Sequence, residues 1–263
     1  QSRTEIVVPA PQVALVDAMA ALGKPMVILL RNGRALALEG NVKNAQAIVV
    51  TWFLGEQMGH AVADVLFGDH GPSARLPVSF PHKSGQQPYS YDRKTTGRPA
   101  NPDLANEEYK ARYRETTNTA LYPFGYGLTY GAISYGPVEM ESDKLAWAGT
   151  LDLGVTVTNT GSHPAEELVQ LYIHDRVASR VRPIRELKDF RKKDTKPVLK
   201  SAWLSCAPPT SWSRRRCVTI WASGACSALA MLSPWPTFAA RAPRSARGAA
   251  SRPGPAHACR ARA

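Results

Sequence analysis

No cysteine occurs before Cys206 in this 263-residue chain, and no Asp or Glu occurs after Asp194. The first absence excludes a disulfide framework from most of the chain and leaves its redox compartment open. The second changes the meaning of the net charge of +12: the residues from Leu199 onward carry ten Lys or Arg and no acid, which leaves only +2 to everything before them. The body is therefore nearly neutral, and its charge does not call for a nucleic acid or an acidic surface. No apolar run approaches the ~20 residues of a membrane span, and nothing reads as a signal peptide. The chain opens on Gln1 rather than methionine, which reads as a start in mid-domain with any targeting signal upstream.

Chemical motifs are scarce as well. There is no G-x-S-x-G nucleophile elbow, and no G-x-G-x-x-G follows a strand pattern. The six histidines are scattered, without a carboxylate or cysteine at metal-ligand spacing. The expectation is a protein with no metal ion and no organic cofactor.

What is there is patterned. Residues 5 to 80 alternate short apolar runs with helical periodicity, the sign of a parallel sheet with crossover helices. "EIVVP" reads as a strand end, and Leu15, Met19 and Leu22 then line one face of a helix. "PMVILL" and "AIVVTWF" read as buried strands, followed by a helix carrying Met58, Val62, Val65 and Leu66, and "RLPVSFP" as a short edge strand. Three or four strands make an incomplete α/β layer sandwich. Residues 81 to 120 lose periodicity, as a functional loop or wrapped linker does. "LYPFGYGLTY" (121 to 130) holds too much Gly and Pro for a helix and too many rings for a solvated loop, so it reads as a buried, rigid connection. Beyond it, Leu151, Leu153, Val155 and Val157 alternate into an Asn-Thr-Gly turn, and "EELVQLYIHD" repeats the alternation through Leu168, as in a fibronectin-like β-sandwich.

Three motifs in this order, "ADVLFGDHGPSARLPVSFP", "TGRP" followed by "LYPFGYGLTY", and "VTNTG…QLYIHD…RPIRELKDF", resemble the C-terminal half of family 3 glycoside hydrolases, the β-glucosidases. The resemblance covers roughly residues 1 to 190. It implies the C-terminal part of an α/β sandwich over 1–82, a connector over 83–130 and a partial fibronectin type III-like domain over 131–198. It also implies that a (β/α)8 barrel, absent from this chain, carries the nucleophilic aspartate, and that the acid/base glutamate falls just before Gln1. Retaining hydrolysis needs two carboxylates about 5 Å apart across the scissile bond. We therefore expect no catalytic residue here and no turnover by this chain unaided, the parent reaction being release of terminal β-D-glucosyl residues from an oligosaccharide or aryl glucoside. A non-catalytic accessory or carbohydrate-binding module is the alternative.

Adjacent Glu107 and Glu108 cannot substitute, since neighbours point roughly 100° apart on a helix or to opposite faces of a strand. Asp64, Asp69 and His70 suit helix-face and turn duties. Candidate sugar contacts are Arg3, placed by the resemblance close behind the acid/base position, and Tyr91 and Arg93 with Tyr89 in the connector, at the lip of the active-site mouth. The resemblance leaves the compartment open, with a periplasmic or secreted parent enzyme as the expectation; no nucleic-acid or membrane partner is expected.

From about residue 192 the family pattern breaks. The stretch 199–263 holds all four cysteines and four of the six tryptophans among Arg, Ser, Ala and Pro, the residues a GC-rich gene yields out of frame. Suitable synonymous codons for 206–226, read one base earlier, permit a segment ending "GKWRV", which looks like a closing fibronectin strand. We expect an aberrant, disordered basic tail and a sandwich unstable for want of its last strands.

Overall fold

The computed structural model describes residues 3–101, 107–140, 142, 149–175, 180–195, 200–206, 218–223 and 228–232. The chain after 232, with most of the expected tail, lies outside the described residues, as do its cysteines other than Cys206.

The first region is α/β. Helix α1 (Ala10–Ala20) starts with proline in its first turn, where the missing N–H has no partner to lose. Strand β1 (Val27–Leu30) follows, then the short α2 (Gly40–Lys43), β2 (Ala47–Val50) and α3 (Met58–Phe67). Gly68, at φ 89°, closes α3, and the Asp64 carbonyl accepts the amides of both Gly68 and His70. These bonds place Asp64 and His70 at the helix stop, where turn duty was expected of them.

The strands β1 and β2 pair in parallel from Val27 against Ala47 to Leu30 against Val50. Three or four strands were expected; among the described residues this sheet has two. The "EIVVP" run contributes a single bridge, Val7 to Ala37, and "RLPVSFP" another, Phe80 to Tyr122. The prolines explain the second outcome, because a residue without an amide hydrogen cannot extend a ladder. Leu30, Ala35, Leu38, Val42 and Phe80 form the core on one side of this pair. The other side is partly open, with Val27 and Leu29 exposed. Leu15, Met19 and Leu22 of the expected helix face are 64%, 50% and 63% exposed, and α1 meets the core through half-buried Val13 and Val16 instead.

"LYPFGYGLTY" is the clasp expected of it. Phe80 and Tyr122 exchange backbone hydrogen bonds, Leu76 N–H donates to the Tyr126 carbonyl at 2.8 Å, and Gly125 N–H donates to the Leu76 carbonyl at 2.8 Å. Tyr122 stacks on Tyr126, with centroids 5.3 Å apart, and meets Phe80 edge-on at 6.4 Å. Phe124 turns the other way, toward Tyr91 and Tyr172.

The second region is a β-sandwich. Strands β3 (Ile133–Met140), β4 (Leu151–Asn159), β5 (Ala165–Asp175) and β6 (Glu186–Thr195) are followed by β7 (Lys200–Cys206), β8 (Val218–Ser223) and β9 (Ala228–Leu232). The sheets run β3-β4-β7 and β6-β5-β8-β9, every pairing antiparallel. Leu151, Leu153, Val155 and Val157 from one sheet meet Val169, Leu171 and Ile173 from the other. Leu168, expected among the inward residues of β5, is half-buried on the opposite face. The inward set is one residue out of phase because it starts at buried Glu167, a charge that an apolar count rejects.

The stretch from 199 onward was expected to be largely disordered. That expectation is corrected for β7, β8 and β9, whose backbones pair with the open edges of β4, of β5 and of each other. Edge strands present unpaired N–H and C=O groups, and backbone pairing satisfies them whatever side chains the partner carries.

Candidate functional site

Two clefts share the wall Pro88, Tyr89 and Ser90. The first, about 400 Å³, is lined further by Gln86, Arg93, Ala111, Arg112, Tyr113 and Asn118, all from the connector. The second, about 550 Å³, lies at the sheet rim and takes in Ile6, Gly33, Arg34, Ala35, Val78, Ser79 and Gln87.

Buried Gln86 is the reason an aperiodic segment holds a shape. Its Oε1 accepts the amides of His82 at 2.6 Å and Lys83 at 3.1 Å, and its Nε2 donates to the Thr117 carbonyl at 2.8 Å. Asn118 does similar work, accepting the Tyr113 amide at 3.0 Å and donating to the Ala111 carbonyl at 2.7 Å. Tyr89 donates its hydroxyl to the Asn118 carbonyl at 2.7 Å and accepts from Arg93 at 2.7 Å, whose guanidinium also sits 5.2 Å from the Tyr89 ring centre. Arg112 donates through Nε to the Glu107 carbonyl at 2.6 Å. Burial, aided by the nearby Lys43 charge, holds the His82 imidazole below its usual pKa.

Of the sequence candidates, Arg93 lines the first cleft. Arg3 is exposed, three residues before Ile6 of the second cleft. Tyr91 stacks on Phe124 at 4.1 Å with its plane tilted 13°, and meets Tyr172 edge-on at 6.2 Å. The structure does not bring the three into one pocket. Arg112, Tyr113, Asn118 and Arg34 escaped the sequence reading, because loop residues carry no period to flag them.

Among the described residues, neither cleft is lined by an Asp or Glu. Glu107 instead accepts the Asn101 amide at 2.7 Å through its carboxylate. Among the described residues no three His, Cys, Asp or Glu gather as metal ligands. No described helix is long and apolar enough to cross a membrane.

The sequence also missed an ion pair that joins the two regions. Arg75 binds Glu167 of β5, the two side chains being 5% and 1% exposed, and the Tyr135 hydroxyl donates to the other Glu167 oxygen at 2.6 Å. Burial and the adjacent carboxylate drive the Tyr135 phenol far above its ordinary pKa.

Residues 1–130 match the glycosyl hydrolase family 3 C-terminal domain, and 167–198 match a fibronectin type III-like domain. The chain belongs to glycoside hydrolase family 3. A periplasmic β-glucosidase of Salmonella typhimurium is 45% identical over 196 residues, covering 74% of this chain and 26% of that protein. A β-xylosidase of Formosa agariphila is 38% identical over 186 residues, covering 71% of this chain and 25% of the other. The crystal structure of a Listeria innocua β-glucosidase in complex with glucose superposes with a TM-score of 0.80 at 29% identity, over 86% of this chain and 33% of that one. The family 3 chain thus spans about a quarter of the length of these curated relatives.

Proposed function

We propose that this chain supplies the C-terminal α/β and fibronectin-like parts of a retaining β-glucosidase that removes terminal β-D-glucosyl residues from oligosaccharides or aryl glucosides. It does not hydrolyse them alone. The observation that carries the reading is 45% identity to a β-glucosidase over 74% of this chain and only 26% of that protein, with no carboxylate among the described residues that line either cleft. Double displacement needs a nucleophile and an acid/base group facing each other, and in this reading a (β/α)8 barrel on a separate or upstream segment brings the nucleophile. Arg93, with Arg3 at the rim, contacts the sugar at the mouth, and Tyr91 holds the connector from beneath. The domain limits at 82, 130 and 198 and the out-of-frame origin of the tail belong to the same proposal. The gene's codons for 206–226 decide the last point. A periplasmic or secreted site of action accords with the name of the Salmonella relative.

The test is incubation of the purified chain with an aryl β-glucoside. No release of the phenol is expected; release that a mechanism-based glycosidase inhibitor abolishes overturns the reading. Sugar binding without turnover marks the accessory-module alternative.

A further inference from the structure

Arginine does not shed its charge by titration, so a guanidinium in a cleft must meet water, a carboxylate or a bound anion. At Arg75 the fold supplies the carboxylate, burying the side chain against Glu167. The first cleft is built differently. Arg93 and Arg112 both line it, and among the described residues neither makes an ion pair and no Asp or Glu stands in the wall with them.

Neutral groups hold both guanidiniums in place. Arg93 donates to the Tyr89 hydroxyl at 2.7 Å and lies over that ring, while half-buried Arg112 spends its Nε on the Glu107 carbonyl at 2.6 Å. Each keeps further N–H donors beyond the one so used. The acids close by in sequence have other donors: Asp92 accepts from the Ser90 hydroxyl, and the Glu107 carboxylate accepts the Asn101 amide at 2.7 Å. Two positioned guanidiniums without a counter-charge suit an oxyanion, because the planar fork of arginine matches a carboxylate or a phosphate.

We infer that the first cleft binds an organic anion of about monosaccharide size, with Arg93 and Arg112 as the partners of its carboxylate or phosphate. Charge selects the class, and space selects the size. The cleft holds about 400 Å³, within the range that small organic ligands fill and far more than a bare phosphate occupies. Pro88, Ala111 and Tyr113 add apolar wall beside the charges. The site goes beyond the glycosidase reading, since a neutral glucosyl unit leaves both guanidiniums without a counter-charge.

Saturation-transfer NMR on the full chain tests it with D-glucuronate and D-glucose, which differ by one carboxylate. Saturable transfer to glucuronate is expected, with glucose bound about tenfold more weakly or not at all. Arg93→Gln and Arg112→Gln should each weaken glucuronate binding about tenfold, and added salt should weaken it further. Arg93 is exposed, so R93Q should keep the wild-type melting curve and carries the test alone if R112Q, which also loses the Glu107 bond, disturbs the loop. No glucuronate binding by the wild-type chain, equal binding of glucose, or binding that R93Q leaves unchanged overturns the site. Inorganic phosphate competing as tightly as glucuronate overturns the organic ligand, because the cleft then reads charge alone. Hydrolysis of an aryl β-glucoside by the chain alone overturns the functional reading and leaves this one standing.

Discussion

The α/β region and the β-sandwich meet solvent in opposite ways. In the sandwich, β4 and β5 bury seven aliphatic side chains between two sheets that face each other. In the α/β region the parallel pair covers one face with a small core that α1 meets only through half-buried Val13 and Val16, while Leu15, Met19, Val27 and Leu29 are exposed. Two antiparallel sheets supply each other's cover. A parallel sheet needs layers on both faces, and two strands with three helices do not provide them. The two regions therefore differ in how much of their stability is internal, and the Arg75–Glu167 pair is where one leans on the other.

Breaking that pair should give the largest effect. Glu167→Ala strands a buried guanidinium and should cost about 4 kcal/mol in urea unfolding; a loss under about 1 kcal/mol means that the two regions do not share this support. Next comes the core contrast. Leu171→Ala should cost about 3 kcal/mol, against under about 0.5 kcal/mol for Leu15→Ala, and equal losses at the two sites erase the comparison. Gly125→Ala tests the clasp between them. At φ 80° a new Cβ would lie 2.3 Å from Gln170 Oε1 and 2.6 Å from the Tyr172 hydroxyl, so a cost of about 2 kcal/mol is expected from strain and crowding.

Smaller effects come from pH, with opposite signs in the two regions. Burial pushes the Tyr172 phenol up from 10.0 to about 12, against a partly opposing Arg185 charge. A raised value in the folded state favours the protonated form, so this contribution is complete below pH 10.0 and is lost as pH climbs toward 12. Thermal melts of Tyr172→Phe should show a flatter alkaline limb; an unchanged slope places the alkaline loss elsewhere. His82 in the α/β region acts on the acid side. Its lowered value favours the neutral ring, so stability is complete above the ordinary 6.5 and falls as pH drops below it. His82→Gln should flatten that limb, the smallest of these changes.

How much of this was legible depended on the kind of signal. Helix α3 and strand β4 followed from apolar period and β1 and β2 from unbroken apolar runs, both local properties of the chain, but the full burial expected of β1 did not follow, since Val27 and Leu29 face a side left uncovered. The phase of β5 did not follow. Glu167 reads as a solvent-facing charge until Arg75, 92 residues away, is placed against it. The cleft residues were invisible for a related reason: Gln86 and Asn118 hold their loops by side-chain to backbone hydrogen bonds, which leave no periodic trace in sequence.

Sequence by itself determined the family and the order of α/β region, clasp and β-sandwich. Tertiary structure alone decided which faces are covered, that Glu167 meets Arg75, and that the edges of β4 and β5 find partners past residue 198. The reason is physical. Periodicity and motif chemistry are written between neighbours along the chain, whereas burial, ion pairing and edge pairing are settled by residues that meet only after it folds.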